Sequence, residues 1–147
     1  MERESRTDGG TYTLLVELHA TTTLEVGALG VHEFDRGWYA YTGSALGTGG
    51  FARVDRHREL AAGERSVRHW HVDYLLDHGA TRIADVTTTA DVDAECAIHR
   101  EIASAGGVAV PVAGFGASDC DCSAHLAYAG QRATLAHAVE AAHDGRR

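Results

Sequence analysis

The feature that most constrains the fold is a run of alternating apolar and polar residues near the start of the chain. Tyr12, Leu14, Val16 and Leu18 alternate with more polar positions. A β-strand turns successive side chains to opposite faces, so this period of two predicts a strand with one buried face. The 147 residues suffice for one domain with a single core. We therefore expect the first strand to belong to the sheet on which that core is built.

Glycine residues divide the following stretch into short strands. The last of these strands is expected at residues 38–42, and the pattern predicts an antiparallel meander of three or four strands. A glycine-rich turn then leads into a helix that begins near Phe51, with Val54 and Leu60 facing inward. A second helix is expected over residues 70–78.

The second half of the chain continues with a β-branched segment at residues 83–88, which predicts another strand. Asp91 and Asp93 are expected in the first turn of a third helix, where acidic side chains favour the helix dipole. An alanine-rich helix to about His143 follows. These elements predict an α+β fold, a small antiparallel or mixed β-sheet of three to five strands flanked by helices. The expected organisation is a frayed tail at 1–9, a globular domain at 10–130, and a C-terminal helix and tail at 131–147.

The charged residues are unusual in kind. All 13 basic residues are arginine, and 21 Asp and Glu give a formal charge of −8. An acidic surface without lysine suits a halophile-like protein that works in concentrated salt, but a GC-rich genome explains it equally well. Net acidity weighs against a nucleic-acid partner. Five arginines nevertheless fall within residues 53–68, where a basic binding face and an ordinary solvated helix face are both open.

No stretch is long and apolar enough to span a membrane, and the first ten residues do not resemble a signal peptide. The sequence therefore predicts a cytoplasmic protein with no membrane partner, and it gives no indication of protein partners. Three cysteines, two of them separated by one residue, do not form the framework of a small secreted domain. We expect them to be thiols or ligands.

Two tripeptides carry the strongest functional signal. Gly10-Thr11-Tyr12 opens the first strand, Tyr41-Thr42-Gly43 closes a later one, and Arg53 precedes His57 by about one helical turn. A phenol, a guanidinium, an imidazole and a carboxylate further along are the groups that a one-metal phosphodiesterase needs. These residue types point to a nuclease-type site.

In this order the motifs resemble the GIY-YIG endonuclease superfamily, which is named after its two tripeptides. The segments HWHVDYLL and GFGASDCDCSAHL resemble its uncharacterised branch, domain of unknown function 123. The resemblance covers residues 10–128. Threonine replaces isoleucine in both tripeptides. The tripeptides also lie further apart than in typical members, as though an extra hairpin had been inserted around residues 26–34.

The resemblance implies a role for each matching position. Tyr12 would be the general base or a phenol that orients water, and its ordinary pKa near 10 would require help from a metal-bound water or a cation. Tyr41 would supply a second hydroxyl, and Arg53 would stabilise charge on the pentacoordinate phosphate. Glu95 would hold one Mg²⁺ or Mn²⁺ through a carboxylate oxygen. His57 would orient a phosphate or transfer a proton.

The positions expected near substrate are Gly43, Ser44, Arg56 and Ser118. Each site residue also has an ordinary structural explanation: a tyrosine on a strand is commonly a packed aromatic, Arg53 is commonly solvated, and Glu95 could be a plain acid at a helix start. For His57, a half-buried histidine bonded to a carbonyl is as plausible as a functional role.

A competing set of side chains could bind zinc. Imidazoles and thiolates are suitable zinc ligands, but Cys-x-Cys is tighter than the usual zinc knuckle, so we expect no tightly bound zinc and reduced thiols. The alternatives are a loop that lines the catalytic groove, with Ser118 and Asp119 near substrate, and buried thiols that pack as small hydrophobes. The residues of this set are His69, His71, Cys120, Cys122 and His125.

Three functions from different classes follow. The first is a metal-dependent endonuclease that cuts DNA, with DNA repair as the context that the resemblance implies. The second is a nucleic-acid-binding module of the same fold that does not cut. The third is a small zinc-stabilised interaction domain. The presence of Tyr12, Tyr41, Arg53 and Glu95 favours the first.

Overall fold

The structure is a computed structural model that describes residues 9–46, 50–63, 71–115 and 124–146. It has the predicted α+β fold, in which helices cover a small antiparallel sheet. The strands are β1 (Gly10–Leu18), β2 (Thr22–Glu25), β3 (Val31–Phe34), β4 (Gly37–Ser44), β5 (Thr81–Ala90) and β6 (Leu126–Ala129). The helices are α1 (Ala52–Ala61), α2 (His71–Leu76), α3 (Glu95–Ala103) and α4 (Arg132–Asp144), and a 3-10 turn at Gly27–Leu29 joins β2 to β3.

The main sheet has the order β5-β1-β4-β6, and every neighbouring pair is antiparallel. The predicted meander is wrong, because β2 and β3 pair only with each other in a separate two-stranded sheet. Strand β1 pairs directly with β4, from Thr11 opposite Ser44 to Leu18 opposite Gly37. The β2–β3 hairpin is therefore an insertion that leaves the two strands carrying the tripeptides side by side.

Both faces of β1 are buried, whereas the alternating pattern predicted one. Tyr12, Leu14, Val16 and Leu18 face a core under α1 and α2, whereas Leu15 packs in the core on the other face. The opposite face includes Thr11 and Thr13, which are fully buried as well. A buried hydroxyl is tolerated when it is hydrogen-bonded, and the Thr13 hydroxyl lies 2.8 Å from Nε2 of His143 on α4.

The third helix begins later than predicted. Asp91 lies in a turn with φ of 61°, and Asp93 precedes the helix, which starts at Glu95. The reason is a local contact: the Thr11 hydroxyl donates to the Val92 carbonyl at 2.6 Å and accepts from the Ala94 amide at 3.0 Å. This contact fastens the segment to β1 and brings the first residue of α3 to the edge of the sheet where β1 begins.

None of the helices in the described ranges has both the length and the apolar character needed to cross a bilayer.

Candidate functional site

Tyr12 and Tyr41 lie on the same face of neighbouring strands. Tyr12 is opposite Gly43 and Leu14 is opposite Tyr41. Because alternate residues of a strand share a face, Tyr12 and Tyr41 are diagonal neighbours. Their ring centroids are 6.4 Å apart and the rings are tilted by 54°. Tyr12 is 1% exposed and Tyr41 is 6% exposed, and both rings lie within the core under α1 and α2.

Gly43 has a clear structural function beside this pair. A Cβ atom at this position would lie 2.6 Å from the Tyr12 hydroxyl oxygen and 3.1 Å from Cε2 of Tyr41. Real Cβ atoms do not approach this closely, so the glycine provides the space that the Tyr12 phenol occupies. Its expected closeness to substrate stays a prediction.

His57 completes the contact between the two tyrosines. It lies on the buried face of α1, with Val54 one turn before it and Leu60 one turn after it. Its Nε2 atom is 2.7 Å from the Tyr12 hydroxyl. The imidazole centroid is 5.6 Å from the Tyr12 ring and 6.1 Å from the Tyr41 ring. The histidine of the Arg-x-x-x-His pattern therefore bonds a phenol and not the carbonyl that we considered as an alternative.

The protonation states of this pair follow from burial. Burial lowers the pKa of His57 from its ordinary 6.5 to about 4, although the nearby Asp73 carboxylate raises it. Burial also raises the pKa of Tyr12 well above its ordinary value, and Tyr41 adds to this effect. At neutral pH both groups are thus uncharged, a phenol and a neutral imidazole, and the tautomer of His57 decides which of them donates the hydrogen bond.

Asp73 stands on the other side of His57. Its Oδ1 is 3.9 Å from Nδ1 of His57, and its carboxylate is fully buried. Arg56 donates to this carboxylate from Nη2 at 3.1 Å and from Nη1 at 3.4 Å. The Asp73 carboxylate thus lies next to the Arg56 guanidinium and the His57 imidazole, which both come from α1. The role of Arg56 at substrate stays a prediction, and in the structure it bonds Asp73.

Sequence reasoning missed this use of Asp73. A usable signal was present, because an acid in the middle of the apolar segment Val72–Leu76 must be paired to be buried. The partner could not have been found in the same way, since Arg56 lies on a different helix.

Arg53 lies at the start of α1, beside the end of β4. Its Nη1 donates to the Ser44 carbonyl at 2.6 Å, and its charge lowers the pKa of Tyr12. Arg53 and Ser44 therefore belong to the same end of the sheet as the tyrosines. Ser118 and Asp119, the remaining positions expected near substrate, lie outside the described residues.

Glu95 is the first residue of α3, at the point where Thr11 fastens the preceding segment. One carboxylate oxygen lies 3.7 Å from Nδ1 of His125, and 22% of the side chain is exposed. Its charge raises the pKa of Tyr12, which shows that the carboxylate is within electrostatic range of the phenol. Glu95 is thus near the tyrosines, but its close partner is His125.

The proposed zinc set can be followed only in part. His71 packs against Phe115 at 5.8 Å between ring centroids. His125 is near a different cysteine from those of the zinc set: its Nε2 lies 3.9 Å from the sulfur of Cys96. The remaining residues, His69, Cys120 and Cys122, lie outside the described residues. Among the described residues, no three or more His, Cys, Asp or Glu side chains form a group that could hold a metal ion.

Cys96 is disulfide-bonded. The expectation that the cysteines remain thiols or ligands is therefore wrong for this residue. Cys96 lies far along the chain from the closely spaced Cys120 and Cys122 and has no local pattern of its own. Its neighbour one turn along α3, His99, was also missed; burial lowers the pKa of His99 to about 4.

One cavity lined by described residues lies away from the tyrosines. A cavity of about 450 Å³ opens between the β2–β3 hairpin and Tyr74 and is lined by Thr23, Leu24, Glu25 and Gly27. None of these residues belongs to the tyrosine cluster. We take the cluster as the candidate site, because it combines a phenol, an imidazole and charged groups, whereas the cavity has no comparable set.

Comparisons with known proteins give a family and nothing finer. Neither the curated proteins nor the solved structures contain a match to this chain. One family model, described as "Domain of unknown function DUF123", matches residues 11–147. The match begins at Thr11, within the first tripeptide, and covers the described helices and strands except for Gly10 at the start of β1. The chain therefore belongs to the DUF123 family.

Proposed function

We propose that this protein is a metal-dependent endonuclease of the GIY-YIG type that cuts phosphodiester bonds in DNA. The observation that carries the proposal is the hydrogen bond of 2.7 Å between the Tyr12 phenol and His57, beside Tyr41 and within range of the charges of Arg53 and Glu95. Packing alone does not require a phenol, an imidazole and two opposite charges at one end of a sheet. DNA repair and a cytoplasmic place of action belong to the same proposal.

Glu95 fits a hard divalent cation. It offers an oxygen ligand and is partly open to solvent, and Mg²⁺ commonly takes one or two carboxylates while keeping several waters. When bound, Mg²⁺ or Mn²⁺ would supply Lewis-acid stabilisation of charge on the phosphate. Zinc is not part of the proposal.

The proton that the attacking water loses can be taken up by Tyr12 and His57. Tyr12 cannot act alone, because its raised pKa keeps the phenol protonated. We therefore assign a concerted relay: Nε2 of His57 takes the phenol proton while the Tyr12 oxygen takes a proton from the attacking water, so that no free phenolate has to form. The water oxygen forms a bond to phosphorus as the bond from phosphorus to the leaving sugar oxygen breaks, and that oxygen takes a proton from solvent. Arg53 offers guanidinium donors to the phosphate.

Access is a condition of this chemistry. Tyr12 is 1% exposed and His57 is fully buried, so water and phosphate reach the phenol only when the structure around it opens. This burial is the specific observation that favours the second candidate, a nucleic-acid-binding module of the same fold in which the tyrosines only pack.

A cleavage assay tests the proposal and separates the candidates. Plain and branched labelled DNAs are incubated with Mg²⁺ or Mn²⁺ at low and at multimolar salt. We expect Glu95→Gln to lose cleavage by about 100-fold or more, the scale seen when a preorganised charge-stabilising group is removed, while DNA affinity is retained. Glu140→Gln, an exposed acid on α4, is the matched control.

Arg53→Ala should lose turnover on a similar scale and also weaken DNA binding, because a guanidinium contacts phosphate before and during the reaction. Arg100→Ala, an exposed arginine on α3, is its control. Cleavage by Glu95→Gln at the wild-type rate under the same Mg²⁺ titration would assign the metal to another carboxylate. Binding without cleavage by wild type at every salt concentration would favour the binding module.

A further inference from the structure

The buried pair of Arg56 and Asp73 lies behind His57 and takes no direct part in the proton transfer proposed for Tyr12 and His57. The chain of contacts runs from the Tyr12 hydroxyl to Nε2 of His57 at 2.7 Å, from Nδ1 of His57 to Oδ1 of Asp73 at 3.9 Å, and from Asp73 to Arg56 at 3.1 Å. These groups come from β1, α1 and α2. Three elements thus converge on the two nitrogens of one imidazole.

We propose that Asp73, held by Arg56, is the positioning residue that fixes the orientation and tautomer of His57, so that Nε2 can take the Tyr12 proton. The inference rests on the proposed nuclease function and deepens it. The Asp73 carboxylate lies 3.9 Å from Nδ1, beyond hydrogen-bond distance, and its negative charge favours a proton on that nitrogen, which leaves Nε2 as the acceptor toward the phenol. Arg56 holds the carboxylate with two donors, which restricts its rotation.

The same carboxylate stabilises the imidazolium that forms when His57 takes the proton. Burial opposes this charge, and the groups facing His57 are Tyr12 from β1, Tyr41 from β4 and Asp73 from α2, with Arg53 and Arg56 on its own helix. Among them Asp73 is the group that raises the pKa of His57, against the lowering by burial, by Arg56 and by Arg53. Asp73 therefore favours the protonated imidazole at the moment it is needed.

A purely structural role is the alternative, in which Arg56 and Asp73 only fasten α1 to α2. Breaking one side of a buried pair is strongly destabilising, whereas replacing both sides by neutral groups often is not. This difference separates the two roles. The double variant Arg56→Gln/Asp73→Asn keeps two amides that can bond each other and removes both charges.

The first readout is the tautomer of His57, measured at neutral pH by ¹⁵N NMR of the imidazoles. The His57 signals are assigned by their loss in His57→Gln. We expect the Nδ1–H form in wild type and a loss of this preference in Asp73→Asn and in the double variant. Asp85→Asn, an exposed acid on β5, is the control. An unchanged tautomer in the double variant, or the Nε2–H form in wild type, would overturn the proposal.

The second readout is cleavage. We expect Asp73→Asn and the double variant to turn over about 100-fold more slowly than wild type, the usual scale of general acid–base assistance. Removing the carboxylate also lowers the pKa of His57, so the acidic limb of the pH–rate profile moves to lower pH in Asp73→Asn. A merely structural pair predicts that the folded double variant cleaves at the wild-type rate with the wild-type profile, and this result would overturn the proposal.

The two readouts keep this inference apart from the nuclease proposal. If wild type cuts none of the DNAs, the nuclease function fails, while the NMR result still decides whether Asp73 sets the tautomer of His57. If Asp73→Asn alone does not fold, the double variant carries both measurements.

Discussion

Lowering the pH from 7 to 5 should destabilise the folded protein through the buried His57. Its pKa is about 4 in the folded chain, against an ordinary 6.5, so the unfolded chain binds more protons throughout the interval between these values. Stability is then fully present above pH 6.5 and is lost as the pH falls toward 4. For one such group, linkage gives a loss of about 2 kcal/mol between pH 7 and pH 5. That is a large part of the 5–15 kcal/mol, roughly, that holds a typical domain together.

The assay is urea unfolding, followed by circular dichroism at several pH values, for wild type and His57→Gln. The glutamine amide can still accept the Tyr12 hydrogen bond, but it takes up no proton. We expect the variant to be less stable at pH 7 by about 1 kcal/mol, the usual net value of a hydrogen bond made less well. Its further loss on going to pH 5 should be smaller than that of wild type by about 2 kcal/mol.

Ile102→Val is the control for stability itself. Ile102 is a fully buried residue of α3 on the far side of the sheet, and its truncation should cost about 1 kcal/mol at every pH. His99, also buried and with a lowered pKa, steepens the acid dependence of both proteins equally. Parallel pH curves for wild type and His57→Gln would refute the reasoning, because they would mean that His57 takes up protons equally in the folded and unfolded chains.

Two further predictions concern packing at the sheet. Gly43→Ala should destabilise the fold by about 1–3 kcal/mol and displace the Tyr12 phenol, because the new methyl group would lie 2.6 Å from its oxygen; unfolding at the wild-type urea midpoint would contradict this. Thr13→Val should cost about 1–3 kcal/mol, because it removes the hydroxyl 2.8 Å from Nε2 of the buried His143, whereas the same change at the exposed Thr23 should cost little. Equal losses at the two threonines, measured by urea unfolding, would count against the His143 bond.

The α+β class and the first strand could be predicted because they depend on how apolar and polar residues alternate within single segments of the chain. The meander was wrong because alternation along β1 defines its two faces and not its partners, and β1 pairs with the distant β4 and β5. The buried threonine face was missed for a related reason. Thr11 and Thr13 look like solvent-facing positions until the chain supplies partners about 80 to 130 residues later, as the contacts with Val92 and His143 do.

The candidate site was predictable to the extent that its residues lie in short motifs. Tyr12, Tyr41 and His57 come together as their spacing and order suggested, and their catalytic roles stay predictions. The burial of Asp73 could have been predicted from its apolar neighbours, but its partners on α1 could not, and Cys96 has no local pattern at all. A sequence motif records which residue types recur near one another, whereas the group that orients a buried imidazole is defined only by packing between helices.

The position of the site is set by hydrogen bonds that join the ends of several strands and helices, and not by any one sequence motif. The amide of Ala45 donates to the Gly10 carbonyl at 2.7 Å, and the amide of Asp91 donates to the Gly9 carbonyl at 2.8 Å. These bonds bring the start of β1, the end of β4 and the segment before α3 to one edge of the sheet. Helix α1 reaches the same edge through the bond from Arg53 to Ser44.

This convergence explains how the inserted hairpin is tolerated. The β2–β3 hairpin leaves the opposite end of β1 and returns into β4, and its apolar residues Val26 and Phe34 join the core under α1 and α2. The pairing of Tyr12 with Gly43 is therefore the same as it would be with a tight turn between the strands. A longer separation of the two tripeptides along the chain lengthens a loop, which costs little free energy, and leaves the distance between the two phenols unchanged.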